Sequence, residues 1–182
     1  MEKRIRFKFA AEKALAAIHY MVCESPGIDL HGMMKTCYFA DKSHLEKHKR
    51  PVFGATYRAM RFGPVPLEIY EMAKGESYWL AELQVDSLPW RLDGYKLHLA
   101  DTQTNSCAPD LGALSKTDID EIQSALQLAC SLSFDARTRA THGDDWQRAE
   151  LGIMQYEDMI PESPNKGELV AYLRETAHNL RL

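Results

Sequence analysis

Residues 33–70 read MMKTCYFADKSHLEKHKRPVFGATYRAMRFGPVPLEIY, and the order of parts in this stretch decides the fold. From Leu30 the apolar residues Leu30, Met33, Met34, Cys37, Tyr38 and Leu45 recur three or four apart, the spacing of one helix face. Asp41 falls on that same stripe. A carboxylate there must be hydrogen-bonded or paired, since desolvating it alone costs several kcal/mol. The sequence expects it to be a shielded structural group, with a partner from the Tyr57–Arg61 segment or from His142; the competing reading is a positioned acid in a pocket. Arg50-Pro51 ends the helix, because the residue before proline is pushed out of helical dihedrals. The corner Phe62-Gly63-Pro64-Val65-Pro66 combines a permissive glycine with two fixed prolines and opens a short helix that stops before Gly75.

Working outward toward the N-terminus, Phe7, Ala11, Ala14, Leu15, Ile18, Met21 and Val22 predict a helix over 7–23, closed by Ser25-Pro26-Gly27. Asp29 is placed to cap the next helix, and the short turn between the two favours an antiparallel pair. Beyond Gly75 the period changes. Trp79–Val85 and Tyr95–Leu99 alternate in part or throughout, predicting one small antiparallel sheet within 78–100 with Asp93-Gly94 as its tight turn. Residues 101–112 read as a polar loop. Ser115-Lys116-Thr117-Asp118 is a capping-box signal ahead of the long stripe Ile119, Ile122, Ala125, Leu126, Ala129, Leu132. Asp135 is placed to cap a short helix to Ala140, and Glu168 to about Leu180 reads as a terminal helix. The fold class is therefore α+β, mainly α, as one domain over 1–182 with a small antiparallel β hairpin.

Length and composition agree with this. At 182 residues, 45% hydrophobic and 26% charged, the chain can bury a core without metal or disulfides. No apolar run reaches membrane-spanning length and the start lacks a signal-peptide core, so a cytoplasmic protein is expected. Cys23, Cys37, Cys107 and Cys130 lie far apart with no Cys-x-x-Cys pair, which reads as four reduced thiols. Residues 1–70 carry 12 Lys/Arg against 7 Asp/Glu, whereas residues 71–182 carry 10 against 19. The acidic second half argues against a protein built to coat nucleic acid, while the basic first half could meet an acidic protein surface.

Signatures of chemistry are few. Walker A, G-x-S-x-G and G-x-G-x-x-G motifs are all missing from the sequence. His44 and His48 stand four apart but in the order His-Leu-Glu-Lys-His, which differs from the H-E-x-x-H zinc arrangement. They are expected to be a surface pair near a helix end; a metal site would also need Asp41 and a remote ligand such as His142. His142 and Trp146 form a polar-aromatic cluster, read as a hydrogen-bonded link and a core filler, with an acid-base role as the alternative.

The run Lys35-Thr36-Cys37-Tyr38-Phe39-Ala40-Asp41, then Ser43-His44-Leu45, Arg50-Pro51, Tyr57-Arg58-Ala59-Met60 and Phe62-Gly63-Pro64-Val65-Pro66 with Ile69-Tyr70, resembles the core pattern of the Panacea antitoxin domain. Leu114-Ser115, Thr141-His142 and Trp146 are similar to the family's later landmarks, so the resemblance runs from about Ala14 to Trp146. Two places depart from it: Met33-Met34-Lys35-Thr36, and Gly143-Asp144-Asp145 before Trp146. The resemblance implies an antitoxin of a bacterial or phage toxin–antitoxin system that neutralises a cognate protein toxin by direct binding, with no enzyme activity, cofactor, metal or membrane partner. Family members pair with unrelated toxins, so no particular toxin follows. Alternatives are a nucleic-acid-binding regulator, or an enzyme using Asp41 and His142; homo-oligomerisation stays open. Tyr57, Arg61, Phe62, Gly63 and Pro64 are the candidate partner-binding residues, because a rigid Gly-Pro corner presents aromatic and guanidinium groups at little ordering cost. Lys35, Tyr38, Asp41, His142 and Trp146 are the family-motif residues expected to be structural.

Overall fold

The computed structural model describes residues 3–100 and 108–182. Its central element is α2, Leu30–His48, buried on almost every side. Asp29 caps it by accepting the Gly32 N–H at 2.6 Å, and the left-handed Lys49 (φ 60°) closes it two residues before Pro51. The preceding helix α1 covers Ala11–Glu24, shorter than expected, because the chain before it runs extended and the Ala10 N–H bonds the Phe53 carbonyl at 2.9 Å. Rather than pairing chiefly with α1, α2 packs most extensively along α5, Lys116–Ser131, with further contact to the strands and helices around its other faces.

The architecture is α+β, mainly helical, with two small antiparallel hairpins where one was expected. The unforeseen hairpin joins β1, Tyr57–Met60, to β2, Gly63–Pro66. Its prolines explain both why it forms and why it is hard to read. Tyr57 and Ala59, which face Pro66 and Pro64, turn their hydrogen-bonding groups the other way: Ala59 N–H bonds Gly152 and Met154 N–H bonds Tyr57, each at 2.9 Å. The two residues without an N–H therefore stand opposite partners that ask none of them.

After α3, Leu67–Lys74, the segment expected as a strand is instead a helix, α4, Ser77–Leu83. Its apolar residues Trp79 and Leu83 are four apart, which fits a helix better than the partial alternation fits a strand. The second hairpin pairs β3, Trp90–Asp93, with β4, Lys96–Leu99. Gly94 (φ 60°) supplies the positive dihedral its two-residue turn needs, as Asp93-Gly94 suggested. Leu97 hydrogen-bonds Gly27 and Ile28, tying this hairpin to the α1–α2 turn.

Ser115 and Asp118 form the capping box of α5. Then follow α6, Phe134–Ala140, capped by Ser133 and not by Asp135, and the shorter α7, Asp144–Arg148, and α8, Tyr156–Met159. The chain closes with α9, Lys166–Thr176, and a 3-10 turn, Ala177–Asn179. One buried apolar cluster extends from Ile5 through α1, α2 and α5 to Ala177. The reading of the cysteines needs one correction: Cys37 and Cys130 are free thiols, but Cys23 is disulfide-bonded. Cys107 and most of the expected 101–112 loop lie outside the described residues. No helix among the described residues is long and apolar enough to cross a membrane.

Candidate functional site: a hairpin tip held by side chains

Arg61 and Phe62 form the turn between β1 and β2, and both are exposed, Phe62 by 47%. A two-residue turn of ordinary residues is mobile unless its backbone groups are tied down, and here side chains from two other elements do so. Lys35 Nζ donates to the Pro64 carbonyl at 2.8 Å, His31 Nε2 meets the Phe62 carbonyl at 3.2 Å, and Trp146 Nε1 donates to the Met60 carbonyl at 2.9 Å. His142 stacks flat on Trp146, with ring centroids 3.7 Å apart at 9°. Gly63 (φ 97°) lies so close beneath that a Cβ would strike Thr141 Oγ1 and approach Lys35 Nζ to 3.0 Å. The tip is thus fixed from both sides before any partner arrives.

Phe134, the first residue of α6, widens the tip. It is 42% exposed, meets the Phe62 ring edge-on at 5.2 Å and stacks on His31 at 4.1 Å. The Arg61 guanidinium lies 5.2 Å from the Phe62 ring, within cation–π range. Basic groups crowd underneath. Burial, then the Arg137 charge, pulls the Lys35 ammonium down to about 7. Burial, then Lys35, pulls His31 down to about 4 and lowers His142 in the same way. Arg137 itself is held by Asp29 at 3.1 Å.

The candidate residues divide accordingly. Arg61 and Phe62 are at the surface, Gly63 and Pro64 shape the corner from within, and Tyr57 is only 1% exposed and cannot touch a partner directly. Tyr57 belongs to the Asp41 network. Asp41 is fully buried; its Oδ1 accepts the Val52 and Phe53 N–H groups at 2.8 and 2.9 Å, and its Oδ2 lies 3.0 Å from the Tyr57 hydroxyl. The pairing of Asp41 with His142 is not made. Because Asp41 has no accessible surface, the two do not meet in an open cleft.

Asp145, at a departure from the family pattern, receives the Tyr38 hydroxyl at 2.5 Å and Lys42 Nζ at 3.0 Å, so α7 is anchored to α2 by polar bonds. The histidine pair is also not the surface feature expected. His44 is fully buried between the Arg50 carbonyl (2.7 Å), Thr117 Oγ1 (3.1 Å) and Asp118 Oδ1 (3.2 Å), while His48 is exposed. Among the described residues no three His, Cys, Asp or Glu side chains are grouped to hold a metal ion.

Residues 33–147 match the family described as Antitoxin SocA-like, Panacea domain. The chain belongs to that family. The match covers more than half the protein, opens in α2 and closes in α7, and so contains Lys35 and Trp146, which hold the tip, Gly63 and Pro64, which shape it, and His142, stacked on Trp146. No curated protein and no solved structure matches the chain. Phe134 and His31 complete the tip but escape a reading of this Panacea sequence. Phe134 is a lone aromatic beside a polar cap, and the only signal at His31 is its position one helical turn before Lys35.

Proposed function

We propose that this Panacea-domain protein is the antitoxin of a toxin–antitoxin pair and neutralises a co-expressed protein toxin by direct binding, acting as one unit. Family membership supports the antitoxin role. The observation that carries the binding reading is the exposed Phe62, paired with Phe134 on a tip already tied down by Lys35, His31 and Trp146. Aromatic and arginine side chains dominate most binding energies, and pre-ordering removes much of the cost of association. Arg61 and Phe62 make the contacts in this reading; Gly63 and Pro64 set their geometry, and Tyr57 supports the corner from the core.

The test is co-expression with the product of the toxic reading frame adjoining this gene. The parent is expected to restore growth, while Arg61→Glu and Phe62→Ala, first shown to melt like the parent, protect poorly and bind weakly. A parent that gives no protection overturns the antitoxin reading. Full protection and unchanged affinity in both variants overturn the site alone.

A further inference from the structure

The Arg61–Phe62 tip is one end of a larger exposed surface. The bonds from Ala59 to Gly152 and from Met154 to Tyr57, with the isolated Arg58–Ile153 bridge between them, set residues 152–154 along the outer edge of β1. Directly paired residues of antiparallel strands project to the same side. Val65, Arg58 and Ile153 therefore share one face, and Met60, two residues after Arg58, joins them. The opposite face, with Tyr57, Ala59, Pro64 and Met154, is buried in the core. The outer face is open: Met60 is 39% and Ile153 48% exposed, Arg58 is exposed, and the adjoining Leu151 is 58% exposed. Single exposed apolar side chains need no explanation, but here Ile153 bridges to Arg58, two residues before Met60, and Met60 leads into the exposed Arg61–Phe62 turn, whose Phe62 meets Phe134.

Charge indicates what would cover it. Arg50, Arg137, Arg148 and Arg174 each hold a carboxylate within 3.3 Å; among the described residues Arg58 and Arg61, like Arg4, Arg6, Arg139 and Arg181, hold none, but Arg58 and Arg61 alone of these stand on the hairpin beside Met60, Phe62 and Ile153. Both belong to the first 70 residues, which carry the chain's excess of positive charge. An arginine beside apolar side chains, left without an internal acid, suits a bidentate bond to an incoming carboxylate once water is displaced.

We propose that the outer face of this hairpin and its bridged edge, adjoining the tip, docks an acidic segment of the toxin whose apolar anchor is flanked by Asp or Glu side chains. The inference rests on the antitoxin reading and names the chemistry of its partner. Arg58 and Arg61 take the carboxylates, and Met60, Ile153 and Phe62 take the anchor.

The experiment measures affinity for the purified product of the adjoining toxic reading frame at low and high sodium chloride. Arg58→Glu and Ile153→Asp, confirmed as folded by thermal melts, are each expected to weaken binding by about tenfold or more, while Arg58→Lys keeps most of it. Parent affinity should fall with salt, and less steeply in Arg58→Glu. Tyr95→Ala, at the turn of the other hairpin, serves as an exposed-aromatic control and should bind like the parent. Binding within about twofold of the parent in both face variants overturns the docking face and leaves the antitoxin reading standing. A loss confined to Ile153→Asp, with no salt dependence, overturns the acidic partner. A parent that neither binds nor protects overturns both readings.

Discussion

The Tyr57 hydroxyl stands 3.0 Å from Asp41 Oδ2 and 3.1 Å from the Cys37 carbonyl, with one hydrogen to serve both acceptors. The phenol hydrogen donates to one of the two at a time, and protonating Asp41 removes the competition: the acid then donates to the phenol oxygen and the phenol hydrogen goes to Cys37. Burial, the largest influence, pushes the Asp41 carboxyl up to about 7, and the bonds that Phe53, Tyr57 and Val52 donate to the carboxylate offset it only in part.

This gives a pH dependence of definite sign. The folded form holds its proton to about 7, whereas the unfolded chain releases it near about 4, so the stabilisation is complete below that lower value and is lost as pH rises through the upper one. Denaturant titrations between these limits should show the parent losing stability with rising pH relative to Asp41→Asn. Parallel curves would refute a neutral Asp41. Asp41→Ala, which strands the Val52 and Phe53 N–H groups, should cost about 1–3 kcal/mol at the acid end of this range and less as the pH rises.

Much of this arrangement is legible in the sequence because it depends on local periodicity. The stripe from Leu30 to Leu45 announces α2 and places Asp41 inside, and Ser115–Asp118 and Asp93-Gly94 announce a cap and a turn by side-chain chemistry. The β1–β2 hairpin is hidden for a physical reason. Its strands are four residues long, and Pro64 and Pro66 look like breakers until the partner's hydrogen bonds are seen to point away. The site is legible where it is local, at Arg61 to Pro64, and hidden where it is assembled from afar. Phe134 reaches Phe62 across 72 positions of sequence, and Ile153 joins β1 through a bridge that no local pattern encodes.

Gly63 is required by space as well as by its φ of 97°. In Gly63→Ala the new methyl would meet Thr141 Oγ1 and lie 3.0 Å from Lys35 Nζ, the group that holds the Pro64 carbonyl. The variant should lose about 1–3 kcal/mol and loosen the tip. Hydrogen exchange should be faster at the β1–β2 amides than in the parent; unchanged exchange and melting would show that the corner tolerates the methyl.

Asp118 holds α1, α2 and α5 together. It accepts Lys13 Nζ at 2.6 Å, Arg50 Nη2 at 3.2 Å and the Ser115 N–H at 2.8 Å, and faces His44 Nε2 at 3.2 Å. Burial alone would raise its pKa, but the bonds from His44, Lys13 and Ser115 more than reverse this and hold it well below the usual carboxylate range. Its stabilisation is therefore full above about 4 and lost only as pH falls further. Asp118→Ala leaves Lys13 buried without its acid and should cost about 3–5 kcal/mol. The variant's acid-unfolding curve should also lack part of the parent's loss at low pH; a drop in stability below about 1 kcal/mol would show that the lysine finds solvent instead.

Phe62 and Phe134 offer the cleanest separation of folding from function. Their rings meet edge-on at 5.2 Å and 68°, yet both are largely at the surface. Losing one ring should cost the free protein no more than about 0.5–1.5 kcal/mol, the worth of an exposed aromatic pair. If the two rings form one anchor, Phe62→Ala and Phe134→Ala should each weaken toxin binding by about tenfold or more, and the double variant should bind better than the product of the two losses predicts. Additive losses would mean that the toxin touches the rings independently. A loss from Phe62→Ala alone would place Phe134 outside the interface, as a support that holds Phe62 through the His31 stack.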